Sequence, residues 1–181
     1  MSRINTTRYA VLGMLTLGSK SAYEIQKKMR CSINYFWSES DGQLYPTLKR
    51  LTDEGLLTFE EETTPGGRSK KIYSLTKTGR ETLKDWLSQP EKKHPIRLEL
   101  LLKLFFAYNV NKKMAIKHLE TEKKELEEEI SIYKKIEKKL GSPSDCKKEF
   151  YAGLTLDYGI KEVEMRLSWC DQSIKKIKDW S

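Results

Sequence analysis

The first predicted helix, at residues 6–17, is apolar around nearly its whole circumference. Among its central positions only Gly13 and Thr16 interrupt the apolar residues. A helix that is apolar on all sides must be covered from more than one direction. We therefore expect one side to face its own domain and the other to face the C-terminal half or a second subunit.

Two further helices are predicted from their start signals. Ser21-Ala-Tyr-Glu24 has the spacing of a capping box, and Ser40 with Gln43 repeats it. In the second of these helices, apolar residues recur at i, i+4 and i+7, which places them on one face. They are Leu44, Leu48 and Leu51. We expect the opposite face to carry Gln43, Pro46, Lys49 and Arg50, with Tyr45 and Thr47 at its margins.

An alternating pattern then predicts a hairpin. Leu57 and Phe59 alternate in one strand and Tyr73 and Leu75 in another, around the turn at 63–71. Thr76 is placed to cap a fourth helix. The order helix, helix, helix, hairpin, helix predicts a winged helix-turn-helix domain.

The C-terminal half has helical periodicity only. Pro-containing residues 88–95 predict a linker, and we place the domains at 1–90 and 91–181. Three helices are expected after it, two of them long. The last has a 4-3 apolar spacing typical of a coiled-coil seam. We expect this seam to form the dimer interface, although the two long helices could instead pack only on each other. The seam is Leu156, Ile160, Val163, Leu167, Cys170, Ile174 and Ile177. The fold class is thus mainly α, with α+β character in the N-terminal part and a three-helix, coiled-coil-like dimerisation domain after it.

Composition narrows the function classes. The 181 residues are 38% hydrophobic and 33% charged, with a net charge of +8. Residues 1–90 hold 14 basic and 10 acidic residues, and the rest hold 20 and 16, so bulk charge does not locate an anion-binding surface. No apolar run approaches membrane-spanning length and no secretory signal is present, so we expect a cytoplasmic protein without a membrane partner. The three cysteines have no paired spacing typical of zinc or redox sites.

The placement of polar residues on the third helix and the hairpin favours duplex DNA. Lys49 and Arg50 can neutralise phosphates, while Gln43 and Thr47 can read base edges in a major groove. The hairpin adds three cations that can reach a flanking minor groove, namely Arg68, Lys70 and Lys71. Three acids at 60–62 must point away from the duplex for the wing to bind. A homodimer would place two recognition helices about 34 Å apart, so we expect an inverted-repeat operator.

Several segments resemble the PadR family of bacterial transcriptional regulators. They are Tyr9-Ala-Val-Leu-Gly-Met-Leu15, Ser21-Ala-Tyr-Glu-Ile25, Gly42-Gln-Leu-Tyr-Pro-Thr-Leu-Lys-Arg-Leu51, Glu54-Gly-Leu-Leu57, Gly67-Arg-Ser-Lys-Lys-Ile-Tyr-Ser-Leu-Thr76 and Gly79-Arg80. The resemblance covers about residues 6–88, and the string at 43–51 is its most specific part. Ala22 departs from the glycine that the family often has there. The helical tail is similar, more loosely, to the subgroup with a large C-terminal domain.

The resemblance implies a winged-helix dimer that represses genes for detoxification, stress response or drug efflux. It places Gln43, Tyr45, Thr47 and Lys49 in the major groove and Arg68 and Lys70 in the groove beside the wing. Tyr23 and Ser40 would contact backbone phosphates. It also implies release by a small aromatic ligand, for which the candidate residues are Trp37, Trp86, Phe105 and Phe106.

Catalytic and metal-binding patterns are missing from the sequence. The only histidines are His94 and His118, and no Gly-rich phosphate loop or His/Cys/Asp cluster is present. We therefore expect neither an enzyme nor a cofactor. The alternative to a DNA-binding regulator is a helical scaffold protein whose winged helix docks protein.

Overall fold

The computed structural model describes residues 6–37, 41–63, 69–91, 96–140 and 146–180. The chain divides into two compact units, Met1–Lys93 and His94–Ser181. Three features named above lie outside the described residues: the side chains of Ser40 and Arg68, and residues 92–95 of the linker. The described part is mostly helical with one small antiparallel sheet, and the predicted fold class is confirmed.

The described residues of the first unit form four helices and three strands. They are α1 (Thr7–Leu15), β1 (Lys20–Ser21), α2 (Ala22–Arg30), α3 (Asp41–Asp53), β2 (Leu57–Thr63), β3 (Ser69–Leu75) and α4 (Lys77–Ser88). Its core gathers apolar residues from all four helices and from the bases of the two long strands. The expected leucines Leu44, Leu48 and Leu51 are buried in this core. The helix-turn-helix therefore rests on the face that the leucine spacing predicts.

The sheet has the order β1-β3-β2. β2 and β3 pair from Leu57 opposite Leu75 to Thr63 opposite Ser69, which confirms the hairpin. The two-residue strand β1 was not predicted, and it pairs Lys20 with Tyr73 at the other edge of β3. Because β1 ends at the N-cap of α2, this pairing attaches the start of α2 to the base of the wing.

The turn between α3 and β2 is bonded directly to the start of α4. Gly55 ends α3 with φ +71°, a conformation that glycine adopts without steric cost. The Thr76 hydroxyl accepts from the Gly79 amide at 2.9 Å and lies 3.0 Å from the Leu56 carbonyl, to which it donates. The Thr76 amide donates to the same carbonyl at 3.2 Å. The predicted Thr76 cap is confirmed. Thr76 also bonds to the residue that directly precedes β2, in the turn after α3.

The second unit consists of helices and a short 3₁₀ turn. They are α5 (Glu99–Phe105), the turn Ala107–Asn109, α6 (Lys112–Leu140) and α7 (Lys147–Asp179). The long helices α6 and α7 pack against each other. The buried residues of α6 include Leu119, Leu126 and Tyr133, which recur at seven-residue intervals.

Candidate nucleic-acid interface

One face of α3 is exposed and carries polar and cationic side chains. Gln43, Tyr45, Lys49 and Arg50 are all exposed, and Tyr45 has 62% of its surface accessible. Within the described part of the chain, neither Lys49 nor Arg50 makes an ion pair. Their charges are therefore available to an anionic partner. The orientation predicted for these four residues agrees with the structure, and their contact with DNA stays a prediction.

Thr47 is not on that face, and its expected exposure was wrong. Its side chain is only 1% exposed. Thr47 follows Leu44 by three positions and precedes Leu51 by four, so helical geometry places it on the buried face. A hydroxyl in this position cannot reach a base edge without displacing the helix.

The N-terminus of α2 has the predicted capping box. The Glu24 amide donates to the Ser21 hydroxyl at 3.3 Å, and the Ser21 amide donates to the Glu24 carboxylate at 2.8 Å. The hydrogen bonds from the Ser21 side chain and backbone lower the pKa of Glu24, with a smaller contribution from the positive charge of Lys70. This local order holds Tyr23, which is 67% exposed, at the start of the helix. Tyr23 is thus accessible in the way that its expected phosphate contact requires.

A basic cluster at the end of α2 was not assigned a role in the sequence analysis. Lys27, Lys28 and Arg30 lie in the last turn of α2, and all three are exposed. The sequence shows this cluster as three cationic residues within four positions. Positive charge at a helix C-terminus also interacts favourably with the helix dipole, so the pattern alone does not separate a structural role from phosphate binding.

The described wing strands carry paired rather than free cations. The Lys70 ammonium lies 3.1 Å from the Glu62 carboxylate, directly across the β2–β3 ladder. The Lys71 ammonium lies 4.1 Å from the centre of the Phe59 ring. Because successive strand residues face opposite sides of a sheet, the three acids at 60–62 do not all share one side, and their orientation relative to a duplex stays a prediction. Lys70 and Lys71 each have a partner within the chain, a carboxylate for Lys70 and an aromatic ring for Lys71.

The four aromatic residues considered for an effector are divided between the two units. Trp37 and Trp86 belong to the first unit, and Phe105 and Phe106 to the second. The Trp86 ring stacks on Tyr9 with centroids 4.5 Å apart and an interplanar angle of 6°, so one of its faces is occupied. Trp37 is half-buried, and its Nε1 is buried without a partner among the described residues. Phe105 packs edge-on to Phe106 and is 75% exposed.

The coiled-coil seam of α7 is covered within the chain. Leu156, Val163 and Cys170 are buried where α7 packs against α6, and burial raises the pKa of the Cys170 thiol. The remaining seam residues are half-buried along the same helix: Ile160, Leu167, Ile174 and Ile177. Assigning this seam to a dimer interface was wrong for the three buried residues, because α6 of the same chain already fills the space opposite them.

Cross-helix ion pairs flank the same seam. Lys123 of α6 pairs with Asp171 of α7 at 2.7 Å, and this hydrogen bond raises the pKa of Lys123. Arg166 of α7 pairs with Glu122 of α6. The α6–α7 pair is therefore matched in charge as well as in apolar packing.

Among the described residues, no group of three or more His, Cys, Asp and Glu side chains is arranged to hold a metal ion. In the same part of the chain, no helix combines the length and the apolar character needed to cross a membrane.

Two family models together match most of the chain. The model of the transcriptional regulator PadR-like family matches residues 11–85, and the model named virulence activator alpha C-term matches residues 96–178. The negative transcriptional regulator PadR of Bacillus subtilis (strain 168) is 29% identical over 175 residues, covering 94% of this chain and 96% of that protein.

Solved structures extend the likeness to the whole architecture. The crystal structure of Bacillus subtilis PadR with operator DNA has a TM-score of 0.87 at 29% identity, covering 96% of this chain and 99% of that one. The structure of the same protein with p-coumaric acid has a TM-score of 0.81 at 29% identity, covering 97% and 100%. With both units matched and the winged helix in place, this chain belongs to the PadR-like family of transcriptional regulators.

Proposed function

We propose that this chain represses transcription by binding an inverted-repeat operator as a homodimer. The exposed face of α3 carries the proposal, because Lys49 and Arg50 have no ion-pair partner in the described part and lie beside Gln43. Cations position a protein on phosphates, and amides read base edges in the major groove. A relative with a TM-score of 0.87, solved with operator DNA, supports DNA binding by this chain.

The target genes follow from the family resemblance alone, which implies detoxification, stress or efflux functions. We propose that the chain acts in the cytoplasm and as a regulator rather than an enzyme. The alternative, a scaffold whose winged helix docks protein, is less well supported because a negative regulator aligns with 94% of the chain.

Fluorescence anisotropy with a labelled duplex tests DNA binding. The duplex is taken from the promoter beside this gene and titrated between about 50 and 200 mM salt. Lys49→Gln should weaken binding to every sequence and make the log–log salt slope shallower by about 1.8, since each protomer of the proposed homodimer loses one phosphate contact. Gln43→Ala should instead relax preference at particular base pairs. Lys175→Gln, which removes the same charge at an exposed position of α7, is the matched control.

Binding that is absent at the lowest salt concentration would refute the proposal. So would binding that Lys49→Gln and Lys175→Gln weaken equally, because the effect would then come from net charge alone.

The homodimer is supported by the apolar surface that α5 leaves uncovered. None of the residues of α5 is buried, although the helix is seven residues long and mostly apolar. The exposed apolar residues within α5 and on either side of it are Ile96, Leu98, Leu101, Leu102, Phe105, Phe106, Tyr108 and Val110. Large contiguous apolar patches mark interaction surfaces, and so short a helix needs packing to persist in water. We propose that a second copy covers it.

Light scattering after gel filtration measures the mass of the assembly. We expect twice the chain mass of 21.2 kDa at micromolar concentration. Phe105→Glu should shift the mass towards the monomer, because it buries a charge in the proposed interface. Lys138→Glu, at an exposed position of α6, should leave the dimer intact. A wild-type monomer would refute the homodimer.

We further propose that a small aromatic acid releases the protein from DNA. The support is the relative solved with p-coumaric acid. p-Coumaric acid itself is the probe: it should quench tryptophan fluorescence and weaken operator binding. Because the chain has four tryptophans, Trp37→Phe shows whether Trp37 reports the binding. If p-coumaric acid changes neither the tryptophan fluorescence nor the operator affinity, this acid is not an effector of the protein.

A further inference from the structure

The wing strands hold a cation and an acid in direct contact at the position expected to approach DNA. Lys70 and Glu62 are opposite each other in the β2–β3 register, with 3.1 Å between ammonium and carboxylate. Both side chains remain about half exposed, at 44% and 57%. An exposed pair of this kind contributes little to folding stability. The pair does, however, engage the Lys70 ammonium with a carboxylate, and the same ammonium would be needed to contact a DNA phosphate.

Charge on the described wing strands is not favourable to a polyanion. β2 carries Glu60, Glu61 and Glu62, whereas β3 carries Lys70 and Lys71, so the acids outnumber the cations. Lys71 is held over the Phe59 ring. Lys70 also lies close enough to Glu24 of α2 to act on it electrostatically. Of the two lysines on β3, Lys70 is therefore the one whose ammonium is in direct contact with a carboxylate.

We propose that Glu62 competes with operator phosphate for Lys70 and so limits how much the wing adds to DNA affinity. In the free protein, Lys70 donates to Glu62. On the operator, Lys70 either stays with Glu62 and leaves the phosphate without a cation, or turns to the phosphate and leaves Glu62 unpaired beside a polyanion. Either state binds DNA more weakly than a wing without this acid. The inference rests on the proposed DNA-binding function.

The strand offers a matched control one residue away. Strand residues alternate between faces, so Glu61 lies on the opposite face from Glu62 and opposite Lys71 in the register. Glu61→Gln and Glu62→Gln remove the same unit of charge from neighbouring positions of an exposed strand. A general reduction of repulsion should therefore be common to both variants, and only Glu62→Gln should free Lys70.

A double-mutant cycle on the full-length protein tests the competition. Operator affinity is measured by anisotropy for wild type, Glu62→Gln, Lys70→Gln, the double variant and Glu61→Gln. Each exposed ion pair spans about 1.4- to fivefold in affinity, and the proposed homodimer carries two, so Glu62→Gln should tighten binding about two- to thirtyfold more than Glu61→Gln. Its log–log salt slope should steepen by up to about 1.8, because Lys70 of each protomer gains a phosphate contact. Both effects should disappear in the Lys70→Gln background.

The outcomes separate this inference from the function on which it rests. A wild-type protein that binds no operator duplex overturns both. Wild-type binding with Glu62→Gln equal to Glu61→Gln overturns the competition alone. So does a gain that persists in the Lys70→Gln background, because it would come from simple repulsion. Thermal melts of all variants, expected to agree with wild type, show that the comparison is between equally folded proteins.

Discussion

Replacing Gly79 by alanine should destabilise the winged-helix unit strongly, although the position lies inside an ordinary helix. A Cβ added at Gly79 would lie 2.2 Å from the Leu56 carbonyl oxygen and 2.9 Å from a methyl group of Leu75. The nearer atom belongs to the backbone and cannot rotate away. Moving it would also disturb the hydrogen bonds that it accepts from the Thr76 amide and hydroxyl.

The size of the effect follows from two costs. Forcing an extra carbon into a packed site costs about 1–3 kcal/mol, and each weakened hydrogen bond adds about 0.5–1.5 kcal/mol. We therefore expect Gly79→Ala to lower the free energy of unfolding by about 2–6 kcal/mol. For a cooperative unit of this size, each kcal/mol lowers the melting temperature by about 4–8 °C. A drop of about 10 °C or more should be visible by circular dichroism or calorimetry.

Gly42→Ala is the control, because a Cβ there meets no atom within 4 Å and the position lies in α3. Alanine is the better helix former, so this variant should be neutral or more stable by up to about 1 kcal/mol. If Gly79→Ala melts within about 2 °C of wild type, or gains stability as Gly42→Ala should, the close approach to Leu56 does not constrain this position.

Three further outcomes are expected. Thr47→Val should leave base preference unchanged in a selection from randomised operators, whereas Gln43→Ala should alter it, because only Gln43 is exposed. Glu24→Gln should lower the urea midpoint near neutral pH. Since the folded-state pKa of Glu24 is lowered from its ordinary value of 4.5, its contribution is present above that value and is lost as the pH falls through the folded-state pKa, so the two proteins should converge below it. Cys170 should react slowly with a thiol reagent in the native protein, because it is buried and its pKa is raised, whereas the two exposed cysteines should react rapidly. Rapid reaction of all three cysteines would contradict this.

Much of the first unit could be predicted because its signals are local. A capping box such as Ser21–Glu24 satisfies the backbone of its own turn, and the structure contains both of its hydrogen bonds. Gly55 ends α3 because the chain there needs a left-handed conformation. Signals of this kind depend on residues within one turn, so they can be read without knowledge of the tertiary structure.

The residues that were misjudged depend on neighbours distant in sequence or at the margin of a helix face. Thr47 is as polar as an exposed residue, but the leucines on either side of it along the helix set its face. The β1 strand has only two residues and exists because β3 offers an open edge. Predicting that Lys70 pairs with Glu62 requires the register of β2 against β3. The sequence of the connecting turn does not specify that register by itself.

The apolar seam of α7 shows why a heptad pattern alone cannot separate a helical hairpin from a dimer. Both arrangements bury the same rows of side chains, and in this chain α6 supplies the matching row, so Leu156, Val163 and Cys170 need no second subunit. A stronger case for dimerisation comes from apolar surface that the described elements of the second unit leave exposed. α5 provides such a surface, since it is apolar, short and without a single buried residue. Whether a second copy covers it is decided by the mass of the assembly and by Phe105→Glu, whereas substitutions in the α7 seam would mainly unfold the hairpin.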